Sequence, residues 1–148
     1  MVPRRFASTA QQAAALLGSV DVLVCLAGIV GCAHALERPV SQFRRILDVN
    51  AAGSFICARA AARQMVRQGR GGRIVLSASV SAHRAAEWAR YGITVNSVSP
   101  GRTWCERNPL GRMGSPDEVA GVVVMLASNA GSYMNGADVI CDGGGVVF

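Results

Sequence analysis

All 15 basic residues of the 148-residue chain are arginine, and there is no lysine. A guanidinium stays protonated at any accessible pH and cannot give up a proton to a reaction. Schiff-base chemistry, a Walker-type phosphate lysine and a tyrosine activated by a lysine ammonium are therefore excluded from this chain. A phenol, ordinarily near pKa 10, needs a nearby cation to work as an acid or base at neutral pH. Four residues after Tyr91 stands Val95, which supplies none. The five cysteines (Cys25, Cys32, Cys57, Cys105, Cys141) are odd in number and scattered, without a Cys-x-x-Cys pair; with only His34 and His83 to join them they form no zinc pattern. They read as reduced, mostly buried thiols of an intracellular protein. Three other polar or turn-forming features have simple structural readings. Ser79 can cap the segment after its strand, Asn50 can tie strands together through its amide, and Pro100-Gly101 can end a strand in a turn.

Those residues need a scaffold. Hydrophobic residues make up 51% of the chain and charged residues 16%, too apolar for disorder, while no apolar run reaches the roughly 18 residues of a membrane span. A single domain over residues 1–148 is expected. The start, Met1 to Val20, holds Arg4 and Arg5 but no acid, which is faintly transit-peptide-like; the expected location is the cytoplasm, with the mitochondrion as the alternative. The formal charge of +6 raises the question of nucleic acid, and Arg59, Arg63 and Arg67 recur at helical spacing. No aromatic residue interleaves this stripe to stack a base, so it reads as a solvated face and no nucleic-acid partner is expected.

Ser8 and Gln11 are spaced as a capping box for a helix over Thr9–Leu17, stopped by Gly18. Val20–Leu26 is a short apolar run of the kind that forms a buried strand. A long helical stretch over Ser41–Gln68 follows Pro39, with Phe43, Ile46 and Leu47 opening its apolar face, and glycines 69, 71 and 72 end it. Residues 73–79 and 93–98 form second and third strands, the latter closed by Pro100-Gly101. Ser115-Pro116-Asp117-Glu118 combines an N-cap serine, proline at the first helical position and a glutamate reaching back, and so predicts a helix to about Ser128. Ala137–Cys141 is a fourth strand. Strands alternating with helices predict a parallel α/β sheet. The crossover between Ser79 and Gly92 holds about a dozen residues, near the lower limit for joining parallel strands, and its stretch Ala82–Arg90 allows two helical turns at most.

The chain resembles the short-chain dehydrogenase/reductase family. The resemblance is carried by Asp21-Val22-Leu23-Val24-x-x-Ala27-Gly28, Asp48-Val49-Asn50-x-x-Gly53, Gly72-Arg73-Ile74-Val75-x-x-x-Ser79, Gly92 to Gly101, Gly111 to Ala120, and the tail from Leu126 to Gly144, all in the family's order. The wording Ala86–Tyr91 and Arg107–Arg112 is similar to fungal polyol dehydrogenases and ketose reductases of the arabinitol or sorbose type. The resemblance implies a Rossmann-type doubly wound parallel sheet, here its C-terminal half of about four strands. It implies a cofactor, NADP or NAD, and a secondary alcohol or ketone substrate. It further implies that Ser79 hydrogen-bonds the substrate oxygen, that Asn50 holds a water of a proton relay, that Ala27 and Gly28 approach the adenosine side of the cofactor, and that Pro100 and Gly101 line the nicotinamide.

The sequence departs from that pattern in three places. The Gly-x-x-x-Gly-x-Gly turn that holds the pyrophosphate is not in it, and neither Gly69–Gly72 nor Gly143–Gly145 joins a strand to a following helix. The Tyr-x-x-x-Lys pair is missing: Tyr91, twelve residues after Ser79, belongs to the Tyr-Gly-Ile-Thr-Val-Asn block that in the family follows the catalytic helix, and is assigned a structural role. The loop after Pro100-Gly101 is short, and Cys25-Leu26 stands where the family prefers two asparagines. The expectation is a truncated chain that does not catalyse the family reaction or hold the cofactor firmly. Its alternatives are a non-catalytic module that pairs, as a homo- or hetero-oligomer, with a full-length relative through an apolar edge strand at Val20–Leu26, and an incomplete gene model of an active enzyme.

Overall fold

The computed structural model describes residues 4–31, 34, 36–77, 85–101 and 108–145. Four apolar runs form strands: β1 (Val22–Cys25), β2 (Gly72–Ser77), β3 (Ile93–Pro100) and β4 (Asp138–Cys141). All pair in parallel, in the order β1-β2-β3-β4. The register sets Cys25, Leu76, Ser97 and Asp138 level across the sheet; β1 and β2 end at this level or one residue beyond it, whereas β3 and β4 run three residues further, so the carboxyl edge is stepped. β1 and β4 are its outer strands, and Val22 and Val24 of β1 are exposed.

Alternation along the central strands gives each face its own core. Ile74 and Leu76 of β2 and Ile93 and Val95 of β3 pack against Ala58, Ala61, Ala62 and Met65 of α3 (Ser54–Gln68). Val75 and Val98 point the other way, onto Leu126 of α5 (Pro116–Ala127), flanked by Val119, Val122 and Val123. Helices on both faces of a parallel sheet are what the alternating pattern predicts, and the arrangement is that of the C-terminal half of the doubly wound sheet that the family resemblance implies. The helix α3 lies close because Gly72 has no side chain: a Cβ there would sit 2.4 Å from the sulfur of fully buried Met65.

The start of α5 follows its sequence signature. Ser115 Oγ accepts from the Glu118 amide at 3.4 Å, the Glu118 carboxylate accepts from the Ser115 amide at 2.8 Å, and Pro116 occupies the first turn. The first helix does not. α1 spans Arg4–Leu17, so Ser8 lies inside it and caps nothing at position 9. Serine and threonine inside a helix cost only about 0.5 kcal/mol each relative to alanine, too little to stop one that continues upstream.

The stretch expected as one helix over Ser41–Gln68 is helical throughout but not uniform. α2 (Val40–Leu47) begins after Pro39, α3 ends at Gly69 in the left-handed region (φ +70°), and between them Asp48–Gly53 winds as a π-helical turn. After β2, α4 (Ala85–Trp88) and a 3₁₀ turn (Ala89–Tyr91) are the described part of the short crossover, within the two turns expected. Among the described residues no helix is long and apolar enough to cross a membrane, and no cluster of three His, Cys, Asp or Glu could hold a metal.

Candidate functional site

In an open parallel sheet, ligands bind beyond the carboxyl ends of the strands. Of the residues that the resemblance assigns to the cofactor or the proton relay, those the structure describes, Ala27, Gly28, Asn50, Pro100 and Gly101, lie toward that edge. Beyond β1, the loop Ala27-Gly28-Ile29 is gripped by Asn50: its Oδ1 accepts from the Ile29 amide at 2.8 Å and its Nδ2 donates to the Ile29 carbonyl at 2.9 Å. The grip is close enough that a Cβ on Gly28 would lie 3.4 Å from Asn50 Oδ1. Asn50 sits in the π-helical turn, and such an inserted turn re-aims a side chain that regular α-helix would direct elsewhere. The amide ties this loop to the π-helical turn rather than joining strands, and it keeps a second N–H and a second lone pair for another partner.

The other half of the edge is built by β3 and β4. The Gly101 amide donates to the Cys141 carbonyl at 3.1 Å, and Gly101 packs so closely on Asp142 that a Cβ would fall 2.2 Å from Asp142 Cβ. Beside them opens a cavity of about 390 Å³ whose wall includes Pro100, Gly101, Asn108, Met113 and Asp142. Asn108, 7% exposed, organises this wall. Its Nδ2 donates to the carbonyls of Arg112 (3.0 Å) and Asp142 (3.1 Å), and its Oδ1 accepts from the Leu110 amide at 2.8 Å. Asp142 Oδ1 in turn accepts from the Gly144 amide at 2.8 Å. The sequence reading missed the Asn108–Asp142 pair. Its one local signal is Asn108-Pro109 ahead of Gly111, an asparagine-led turn.

At the mouth of that cavity Arg112 and Glu118 form a two-pronged ion pair, at 2.8 and 2.7 Å. Hydrogen bonding from Arg112, then from the Ser115 amide, holds the Glu118 carboxyl at about 2. A carboxyl depressed on folding stabilises the fold above its unfolded pKa, near 4.5, and that contribution disappears as pH falls through about 2. A carboxyl-carbon NMR titration is expected to place Glu118 near 2 in the native chain and well above it in Arg112→Gln; coincident curves would contradict the pairing.

Three other groups are singled out in the sequence. Ser79 lies outside the described residues. Tyr91 ends the 3₁₀ turn just before β3 begins, with the Arg90 guanidinium 4.8 Å from its ring centroid. The eight residues of β3 span about 26 Å, so Tyr91 stands at the opposite end of the strand from Pro100-Gly101. The Cys57 thiol is pushed up by burial and then by the Cys25 thiol beside it; burial, then Asp142 and Asp138, does the same to Cys141. Both stay protonated at neutral pH and are poor nucleophiles there.

A dinucleotide's two ends would find small, close-packed backbone at Ala27-Gly28 and at Pro100-Gly101. Its pyrophosphate would not find a seat among the described residues. Fourteen residues separate the end of β1 at Cys25 from the start of α2 at Val40, too many for the tight turn that seats a pyrophosphate, and the N-terminus of α5 is already filled by the Glu118 carboxylate, which repels another anion.

A parallel sheet sandwiched by helices, with its ligand loops at the carboxyl edge, defines a doubly wound α/β protein of the dinucleotide-binding kind. Within that class the chain belongs to the short-chain dehydrogenase/reductase family: the "short chain dehydrogenase" family model matches residues 3–86 and that of "enoyl-(acyl carrier protein) reductase" residues 83–145. It is 36% identical to an L-rhamnose 1-dehydrogenase (NAD(P)(+)) of Sphingomonas sp. (strain SKA58), over 86% of this chain and 65% of that protein. It is 33% identical to a galactitol 2-dehydrogenase (L-tagatose-forming) of Cereibacter sphaeroides, over 87% of this chain and 66% of that one. A crystal structure of a short-chain type dehydrogenase/reductase from Mycobacterium marinum superposes with a TM-score of 0.90 at 40% identity, covering 97% of this chain and 70% of that one.

The chain thus spans about 65% of the length of these curated relatives. Part of the difference is internal. In the rhamnose dehydrogenase alignment, 86% of 148 residues, about 127, is spread over 166 positions, so about 39 positions of the relative have no counterpart here. The two family models meet at residues 83–86, inside the short crossover.

Proposed function

We propose that this chain has the lineage of an NAD(P)-dependent oxidoreductase that moves hydride between a nicotinamide and a secondary alcohol or ketone, of the sugar-alcohol class, and that the chain by itself does not turn over. The observation that carries this reading is the pairing of a lysine-free sequence with a crossover that leaves its phenol, Tyr91, at the wrong end of β3. The relatedness to an L-rhamnose 1-dehydrogenase (NAD(P)(+)) and a galactitol 2-dehydrogenase supports the substrate class, and the former's use of NAD(P)(+) supports the cofactor. In this reading Asn50 and Ser79 are remnants of the proton relay and the substrate oxygen site, Ala27 and Gly28 face the adenosine side, and Pro100 and Gly101 the nicotinamide. The fungal arabinitol or sorbose type is the finer form of the same proposal.

Purified protein mixed with NADH or NADPH and a panel of ketoses, and with the oxidised cofactors and polyols, is expected to leave the 340 nm absorbance unchanged. Sustained cofactor turnover at a rate proportional to protein would overturn the proposal.

The exposed edge supports a second reading, that of a non-catalytic module pairing with a full-length relative. β1 carries exposed Val22 and Val24, and Leu16 and Leu17 at the end of α1 stand 85% and 78% exposed. Co-purification with a full-length family member is the expected result, and a stable monodisperse monomer that ignores such a partner would end this reading.

A further inference from the structure

Three arginines of α3, Arg59, Arg63 and Arg67, lie one helical turn apart and line one wall of a groove of about 550 Å³. Phe55 lies one turn before Arg59 on the same helix, and Trp88 of α4 and Tyr91 of the turn before β3 complete the lining. The sequence shows no ring between the arginines of the stripe, but Phe55 extends it by one turn and the fold brings two further rings, Trp88 and Tyr91, to it. Arg59 lies with its guanidinium carbon 5.6 Å from the Phe55 ring centroid, and its buried Nε–H has no acceptor. Arg63 and Arg67 are exposed, and among the described residues no carboxylate forms an ion pair with any of the three. The single acid of the groove is Glu87.

Three guanidinium groups that no described carboxylate pairs with would each gain a charge-assisted hydrogen bond from an anionic oxygen in the groove. Its size suits a small molecule, since ligand cavities run from about 300 to about 1,000 Å³. Guanidinium groups stacked with aromatic rings recognise a flat apolar body carrying an acidic group. A second copy of the same face is a poor occupant, because it would set six arginines against two glutamates. We propose that this groove is a binding site for a small anionic amphiphile, an aromatic or flat apolar body bearing a carboxylate, sulfonate or phosphate. The site is separate from the carboxyl edge of the sheet: Tyr91 and Trp88 precede β3, whereas Pro100-Gly101 follow it.

The test uses three probes that share one ring system: 2-naphthalenesulfonate, 2-naphthylmethanol and 2-naphthylmethylammonium, titrated calorimetrically into the full chain. The expected result is saturable 1:1 binding of the sulfonate, at least about tenfold tighter than the alcohol, with the ammonium weakest. Arg63→Glu, on the exposed face of α3, should weaken the sulfonate by about tenfold or more, while Arg44→Glu on α2, the same charge change outside the groove, should leave it within about twofold. Far-ultraviolet dichroism checks that both variants fold, and if Arg63→Glu does not, Arg67→Glu takes its place. Equal binding of the three probes, equal weakening by both variants, or no saturable binding of the sulfonate would overturn the proposal.

Discussion

Asn96→Asp is expected to lower the unfolding free energy by about 3 kcal/mol at pH 7, and to recover part of that loss as the pH falls. Asn96 is 1% exposed in β3 and uses both ends of its amide: Nδ2 donates to the Met134 carbonyl at 2.9 Å and Oδ1 accepts from the Ala137 amide at 3.0 Å. These bonds span about 40 residues of sequence and fasten the loop between α5 and β4 onto the centre of the sheet, alongside Asn135, whose Oδ1 accepts from the Val95 amide at 2.9 Å. A carboxylate keeps the bond from Ala137 but turns its second oxygen on the Met134 carbonyl, acceptor against acceptor, in a buried site. Protonation restores a donor, so the folded state raises the pKa of the introduced carboxyl above its unfolded value near 3.9. A carboxyl raised on folding is destabilising above that folded pKa, and the penalty shrinks as pH falls through it. Urea unfolding of both proteins at pH 7 and pH 4.5 measures the difference. Asn96→Ala, which leaves Met134 O and Ala137 N–H unpaired at every pH, should cost about 2 kcal/mol with no such recovery. An Asp variant as stable as the native chain at pH 7 would mean the amide is not the fastener.

That loop shows where sequence stops being informative. The strands were legible because their β-branched and apolar runs are continuous, and α5 was legible because Ser115, Pro116 and Glu118 act within four residues of one another. Ser8 misled because a cap-like residue is weak evidence when the residues before it can also be helical. The π-helical turn at Asp48–Gly53 escaped because one extra residue per turn leaves almost no trace in a 3.6-residue pattern, yet it is what sets Asn50 on Ile29. The positions of Ala27, Gly28, Pro100 and Gly101 at the carboxyl edge follow from strand polarity alone. What lies between them does not: Asn108 meets Asp142 across 34 residues, and two rings, Trp88 and Tyr91, reach the arginine stripe of α3 from other elements. Tyr91 was separable from a catalytic tyrosine by its neighbours in sequence, and the length of β3 supplies the physical reason.

Gly101→Ala is expected to cost about 3 kcal/mol and to disturb the carboxyl edge more than any other single methyl group placed there. The added Cβ would stand 2.2 Å from Asp142 Cβ and 2.8 Å from Asp142 Cα, and the second of these is backbone, which no rotamer change can move aside. To admit it, the end of β4 must part from β3, stretching the Gly101 amide from the Cys141 carbonyl at the point where Pro100 and Cys141 pair. Asp142 moves with that end. Its carbonyl is one of the two that Asn108 Nδ2 binds, and its carboxylate holds the Gly144 amide, so the wall of the 390 Å³ cavity loosens with it. Gly18→Ala provides the contrast. Gly18 has φ +84° and a Cβ added there would meet nothing within 4 Å, so its cost is backbone strain alone, about 1 kcal/mol, and stays at the end of α1. Native-state hydrogen exchange separates the two: Gly101→Ala should lower protection at the amides of Gly101 and Gly144, while Gly18→Ala leaves both unchanged. If Gly101→Ala matched Gly18→Ala in stability and kept that protection, β3 and β4 would not be held together by the close contact at Gly101, and the cavity wall would owe its shape to Asn108 alone.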